Sequence, residues 1–164
     1  MRCGVAATRF KRWRSIVGQQ ISVKAADSVW SKLCGVSPAM RSAEIARARR
    51  SRLRAAGLSG RKAEYLHELA RRFCDGSLNP AQWSGMDDES VIDALTEVRG
   101  IGRWTAEMFL MFHLLRPNVL PLDDLGLRKA VRVHYFDGGE APVAAIQALA
   151  RSWEPWRTVA TWYL

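Results

Sequence analysis

The segment Leu95-Thr-Glu-Val98-Arg99-Gly100-Ile101-Gly102-Arg103-Trp104-Thr105-Ala106 has the makings of an anion grip. A four-residue turn, with glycine at two of its positions, joins two runs of helical periodicity. Glycine permits positive φ and lets a ligand approach the backbone closely. The first amides of the helix that follows have no internal partner and point outward with the positive end of the helix dipole, so an anion is stabilised there. Ile101, between the glycines, can anchor the turn in the core. Arg103 can add a cation beside it, and Ala106 is small enough for close packing. The plainer alternative is a helix–helix turn with a glycine C-cap. A second stretch, Leu120-Pro-Leu-Asp123-Asp124-Leu-Gly-Leu127, sets two adjacent carboxylates at the start of another helical run, where either can serve as N-cap.

The elements that must position these groups read as helix after helix. No segment alternates apolar and polar residues long enough to make a strand. Phe10, Trp13, Val17, Ile21, Val29 and Leu33 form one helical face, or two helices meeting near Gly18. A basic helix is expected over 42–56, and another over 59–73 with Ser59 as N-cap and Gly76 beyond its end. A short helix should start at Pro80, and one over 89–98 should be capped by Asp87 or Asp88. The helix after the turn, 103–115, is apolar nearly all round and therefore central. Extended residues 119–122 lead into a helix ending near Val133. Pro142 opens a helix to Trp153, and Pro155 opens the last.

Charge is unevenly spread over these elements. The net charge is +9, and residues 1–72 hold 17 of the 25 Lys+Arg but 4 of the 16 Asp+Glu. That distribution suggests a track for a polyanion beside a site that uses carboxylates. It also makes a DNA phosphate the natural occupant of the hairpin. The chain of 164 residues suits one domain with a core that needs no staples. Cys3, Cys34 and Cys74 are odd in number and scattered, which fits a reducing compartment and lacks the close spacing of zinc or iron–sulfur ligands. His67, His113 and His134 also lack metal spacing and read as structural. No stretch reaches the roughly 18 apolar residues of a membrane span. Arg2, Arg9, Lys11, Arg12 and Arg14 do not fit a signal peptide.

Val98-Arg-Gly-Ile-Gly-Arg-Trp-Thr-Ala106 resembles the helix–hairpin–helix of the HhH-GPD superfamily of DNA glycosylases. Ile16-Val-Gly-Gln-Gln-Ile-Ser22, Leu120-Pro-Leu-Asp-Asp-Leu-Gly-Leu127 and Trp153-Glu-Pro-Trp-Arg-Thr-Val-Ala160 resemble one branch, bacterial 3-methyladenine DNA glycosylase II. The matches cover most of the chain in the family's order. The resemblance implies an all-α fold: a compact helical core containing the hairpin, with the site in a cleft between two helical subdomains. Residues 1–164 are expected to form a single domain of this kind, short for the family and incomplete at one or both ends.

The resemblance also implies roles. In the family one Asp, some twenty residues past the hairpin and at a helix start, carries catalysis. Asp124, followed by Leu127 and Lys129 at matching spacing, fits better than Asp123, which remains a secondary acidic candidate. Cleavage of a base from deoxyribose passes through an oxocarbenium-like transition state, which a carboxylate stabilises. An alkylated purine is already cationic and leaves without a second acid, so damaged, charged purines are the expected substrates. Bifunctional members carry a lysine where this chain has Trp104, and tryptophan cannot form a Schiff base, so a monofunctional hydrolase is implied. Trp104 can instead stack on a flipped cationic base; the alternative is a core tryptophan. Met108, one turn on, and Tyr65 complete the expected base pocket, with Lys62 beside Tyr65 near the site or backbone.

For DNA binding, the resemblance points to Gly100, Ile101, Gly102, Arg103 and Thr105, and to Gln19 and Gln20. Gln20 is the candidate wedge into the hole left by the flipped base, or else a surface glutamine. Trp153, Trp156 and Arg157 are expected to pack the last helix, with Arg157 bracing it. The implied function is base-excision repair by a monomeric, cytoplasmic, nucleoid-associated bacterial enzyme acting on double-stranded DNA with a damaged base. No metal or other cofactor is implied, apart from a monovalent cation at the hairpin. The alternatives are a catalytically impaired or truncated helix–hairpin–helix DNA-binding protein, and a glycosylase for another damaged base.

Overall fold

The computed structural model describes residues 23–164. Gln19 and Gln20 lie outside the described residues. Among those described there is no strand. The chain divides into two compact units, residues 1–105 and 106–164, with the division falling within one helix.

In the first unit, α1 (Val23–Val36) buries Ala26 and Leu33. The basic stretch expected as one helix over 42–56 is two, α2 (Ser42–Arg47) and α3 (Arg50–Ala55), parted by Ala48 and Arg49 in extended conformation. The reason lies in packing. Ile45 and Leu53 are both fully buried, and both short helices pack on α4 (Gly60–Asp75). On an unbroken helix, residues eight apart would diverge by about 80° at 3.6 residues per turn. The break lets both reach the same partner.

Helix α4 starts where Ser59 Oγ accepts the Lys62 N–H at 3.3 Å and ends at Gly76 in the left-handed region (φ 83°). Its stripe of Ala63, Leu66, Leu69 and Ala70 is buried. Phe73 meets the buried Trp83, in the 3₁₀ turn Trp83–Gly85, edge to face at 6.1 Å. Asp87 caps α5 (Asp88–Thr96), accepting the Ser90 N–H at 2.9 Å and the Ser90 hydroxyl at 2.6 Å. These two bonds hold the Asp87 carboxyl below the usual carboxylate range. Val91, Ile92, Leu95 and Val98 are buried, a helical stripe that continues to Ile101.

Helix α6 (Arg103–Phe112) is three residues shorter than its apolar run suggests. Past Phe112 the backbone turns through Leu115, which is exposed and has φ 56°. In the second unit Asp124 caps α7 (Leu125–Tyr135). Leu127, Val131, Ala141 and Ile146 form a buried cluster with α8 (Val143–Ala150), joined by Leu120, Leu122, Phe136 and Trp153. The helix expected from Pro142 to Trp153 is α only to Ala150 and then tightens to 3₁₀ over Arg151–Trp153. Pro155 precedes α9 (Arg157–Tyr163) rather than opening it, and the Glu154–Pro155 peptide is cis.

Candidate active site

The hairpin between α5 and α6 is set by one steric fact. Gly100 has φ 89°, and a Cβ built on it would lie 2.1–2.3 Å from the ring of Tyr65 on α4. No other residue fits there: an L side chain is strained at that φ and the space is filled by the ring. Gly102 differs, having no positive φ and nothing within 4 Å of a built Cβ. The open space at Gly102 leaves the start of α6 accessible to a ligand. Ile101 is buried at 7% exposure, as a plug between the glycines should be, and its N–H closes the turn on Val98 O at 3.0 Å.

Arg103 is not simply a spare cation beside the hairpin. Its guanidinium forks onto the Glu89 carboxylate, with Nη1–Oε2 at 2.8 Å and Nη2–Oε1 at 2.5 Å. The hydrogen bond from Arg103 holds the Glu89 carboxyl below the usual glutamate range. Thr105 is buried, and Trp104 is 39% exposed, so it is not a core tryptophan. Tyr65, expected in the base pocket, packs its ring on Gly100 and lines a hollow with Arg50, His67, Arg71 and Arg99. Lys62, next to it in sequence, is partly buried, which pulls its ammonium below the ordinary lysine range.

The second unit holds a different kind of site. A hollow of about 270 Å³, open on one side, is lined by Met108, Met111 and Phe112 of α6, Asp124, Gly126 and Leu127 at the start of α7, and Thr161, Trp162 and Leu164 at the chain's last helix. Asp124 is half-buried there, and its Oδ1 accepts the Leu127 N–H at 2.9 Å. Capping and display in the hollow thus coexist in one carboxylate. Gly126 keeps room for it, since a Cβ there would stand 3.0 Å from Asp124 Oδ1. Asp123 is exposed and does not line the hollow. Met108 lines it.

Three threads hold α9 in place. Thr158 N–H donates to Pro117 O at 2.9 Å, its hydroxyl donates to Arg116 O at 2.6 Å, and the same Oγ1 accepts the Val119 N–H at 3.0 Å. Arg157 Nε donates to Ala150 O at 3.1 Å, and its Nη2 bonds Glu154, so it braces the last helix. Trp153 is half-buried at 6.1 Å from Tyr135, whereas Trp156 is largely exposed. One turn past Thr158, Trp162 meets Phe112 edge to face at 5.5 Å.

Phe112 and Trp162 were not singled out from the sequence. Phe112 stands four residues after Met108, so helical spacing could have found it. Trp162 carries no local signal. His113 sits 4.4 Å from Phe109, ring to ring, and His134 is exposed. No group of three or more His, Cys, Asp or Glu that could hold a metal occurs among the described residues. None of the described helices is long and apolar enough to cross a membrane.

A helical fold with a glycine hairpin at one helix start and a capping aspartate in a hollow at another is that of a family. The chain belongs to the HhH-GPD superfamily of base excision DNA repair proteins, whose model matches residues 13–155. Among relatives, it is 33% identical over 159 residues to DNA-3-methyladenine glycosylase 1 of Schizosaccharomyces pombe, covering 92% of this chain and 68% of that one. It is 38% identical over 112 residues to YfjP of Bacillus subtilis, provisionally named a DNA-3-methyladenine glycosylase, covering 68% of this chain and 39% of that one. The crystal structure of a DNA-3-methyladenine glycosidase from Bacillus halodurans matches with TM-score 0.87 at 33% identity, over 95% of this chain and 73% of that chain. The fission yeast 3-methyladenine DNA glycosylase in complex with abasic DNA matches with TM-score 0.82 at 30% identity, over 95% and 78%.

Proposed function

We propose that the protein is a monofunctional DNA glycosylase that hydrolyses the N-glycosidic bond of alkylated purines such as 3-methyladenine in double-stranded DNA. The observation that carries this reading is Asp124 lining a hollow walled by Phe112 and Trp162. The volume lies just under the roughly 300–1,000 Å³ of small-molecule pockets. A flipped base would enter an aromatic site, where a cationic alkylpurine gains about 0.5–2 kcal/mol from ring faces. Trp104 is assigned to the same role. The Asp124 carboxylate would stabilise positive charge developing on the sugar and orient water for attack at its anomeric carbon. Its orientation is fixed in advance by the cap bond to Leu127 N–H. Names of the relatives support the substrate class.

In this reading the hairpin amides at Gly100, Ile101 and Gly102 hold DNA backbone phosphate. Thr105 and Arg103 adjoin them, and of Gln19 and Gln20 it is Gln20 that enters the hole left by the flipped base. Residues 1–164 work as one domain, as a monomer, in the cytoplasm at the nucleoid. The chemistry needs no metal or other cofactor. The test is release of 3-methyladenine from alkylated duplex. Wild type should release the base and leave the abasic strand uncut. Asp124→Asn should bind duplex as wild type does but release at least about 100-fold more slowly, the scale of losing one preorganised electrostatic group. Asparagine caps helices as well as aspartate does, so loss of the fold would not explain loss of release. Equal release by both proteins overturns the assignment.

A further inference from the structure

The hollow beside Tyr65, of about 110 Å³, takes no part in the chemistry assigned to Asp124. Three elements each send an arginine to its wall: Arg50 from α3, Arg71 from α4 and Arg99 from the hairpin itself. His67, Glu64 and Glu68 complete the lining with Tyr65. The two carboxylates are already engaged. Glu64 faces Arg50 at 3.7 Å, and Glu68 takes Arg72 at 3.2 Å, with Arg72 also held by Glu97 at 3.1 Å. Arg71 and Arg99 form no ion pair among the described residues, and both are exposed. The Tyr65 ring packs on Gly100, so this hollow adjoins the turn assigned above to a first phosphate.

We propose that Arg71 and Arg99, with Arg50 at the rim, form a second phosphate subsite adjoining the hairpin, and that its occupant is a backbone phosphodiester of the duplex. Guanidinium is the group suited to this, presenting a planar fork of N–H donors to phosphate oxygens. The hairpin's own cation, Arg103, is neutralised by Glu89, so Arg99 supplies the positive charge at this turn. The Tyr65 ring forms one wall of the subsite and keeps the two phosphate positions at fixed spacing.

This inference rests on the DNA-binding reading above, and the test separates the two. Affinity for undamaged duplex is measured between 50 and 200 mM salt for wild type, for Arg71→Gln/Arg99→Gln, and for Arg61→Gln, an exposed α4 arginine that does not line the hollow. Each phosphate contact contributes about 0.9 to the slope of log affinity against log salt. The double variant should lose about that much, so the salt increase should weaken wild type about threefold more than the variant. Arg61→Gln should change the slope by clearly less.

If wild type itself shows no salt-dependent duplex binding, the DNA reading fails and takes the subsite with it. If wild type is steep and the double variant equally so, or if Arg61→Gln lowers the slope as much, only the subsite is overturned. A parallel arm tests inorganic phosphate at constant ionic strength. Thermal protection of wild type by phosphate, lost in the double variant while the duplex slope stays unchanged, would make this a free-anion site and overturn the backbone assignment. A lowered duplex slope with no phosphate protection supports it.

Discussion

The N-termini of α6 and α7 are the same physical object put to opposite uses. Each presents backbone N–H groups at the positive end of a helix dipole. Before α6 stand Gly100, Ile101 and Gly102, which offer no acidic side chain to those amides, and the space at Gly102 is open. An anion must come from outside. Before α7 stands Asp124, whose own Oδ1 takes the Leu127 N–H, so the anion is supplied from within and held at a fixed angle in a hollow. One end is left open to a charge from outside, and the other carries its own. The surroundings differ to match: arginines and glutamates in pairs around the hairpin, aromatic and methionine side chains around Asp124.

Substitution at Gly100 should do the most damage. Gly100→Ala must shift the Tyr65 ring and adopt a strained φ, and should cost about 2–3 kcal/mol of stability from overpacking and backbone strain together. Urea unfolding of Gly100→Ala, Tyr65→Ala and the double variant checks the cause. The double variant should be clearly more stable than the sum of the two losses, because removing the ring leaves only the backbone strain. Strict additivity would show that the ring does not shape the hairpin.

Gly126→Ala probes the other end more gently. The new methyl would press on Asp124 Oδ1 at 3.0 Å, so base release should fall about fivefold. Folding stability should hold or rise by up to about 1 kcal/mol, since alanine is the better helix former. A drop in release without a drop in melting temperature ties activity to the set of this carboxylate. Unchanged release would mean that its angle is not critical.

The smallest effect belongs to the Glu89–Arg103 pair. The Glu89 carboxyl titrates below its ordinary value in the folded protein, so the pair adds stability above the normal glutamate range. That contribution is lost as pH falls toward the depressed folded value. Both groups are exposed and screened, which limits the contribution to about 0.5 kcal/mol. Melting temperatures of wild type and Glu89→Gln should differ slightly at neutral pH and converge as pH falls through the depressed Glu89 value. A difference that grows as pH falls would contradict the pair's assigned sign.

Much of this was legible in the sequence because it is local. Helical stripes follow from a period of 3.6 residues, the α4 cap from Ser59, and the hairpin from glycine where φ must be positive. That an aspartate caps α7 followed from the acidic pair before an apolar run; that it is Asp124 rather than Asp123 did not. The break at Ala48–Arg49 was not legible, because α2 and α3 are each good helix formers and only α4 requires their buried residues to face one way. Nor was the pairing of Arg103, which depends on Glu89 fourteen residues earlier lying within reach of its guanidinium.

Local rules alone thus dictate an all-helical chain with a glycine-hinged turn and an acid at a helix start, since propensity, capping and backbone freedom act over a few residues. Tertiary structure decided which side chains surround those two points: Tyr65 on Gly100, the arginines of three elements around one hollow, and Phe112 and Trp162 beside Asp124. Such meetings join residues far apart in the chain. They are fixed by how helices pack and by anchors such as Thr158, and neither leaves a periodic trace in the order of amino acids.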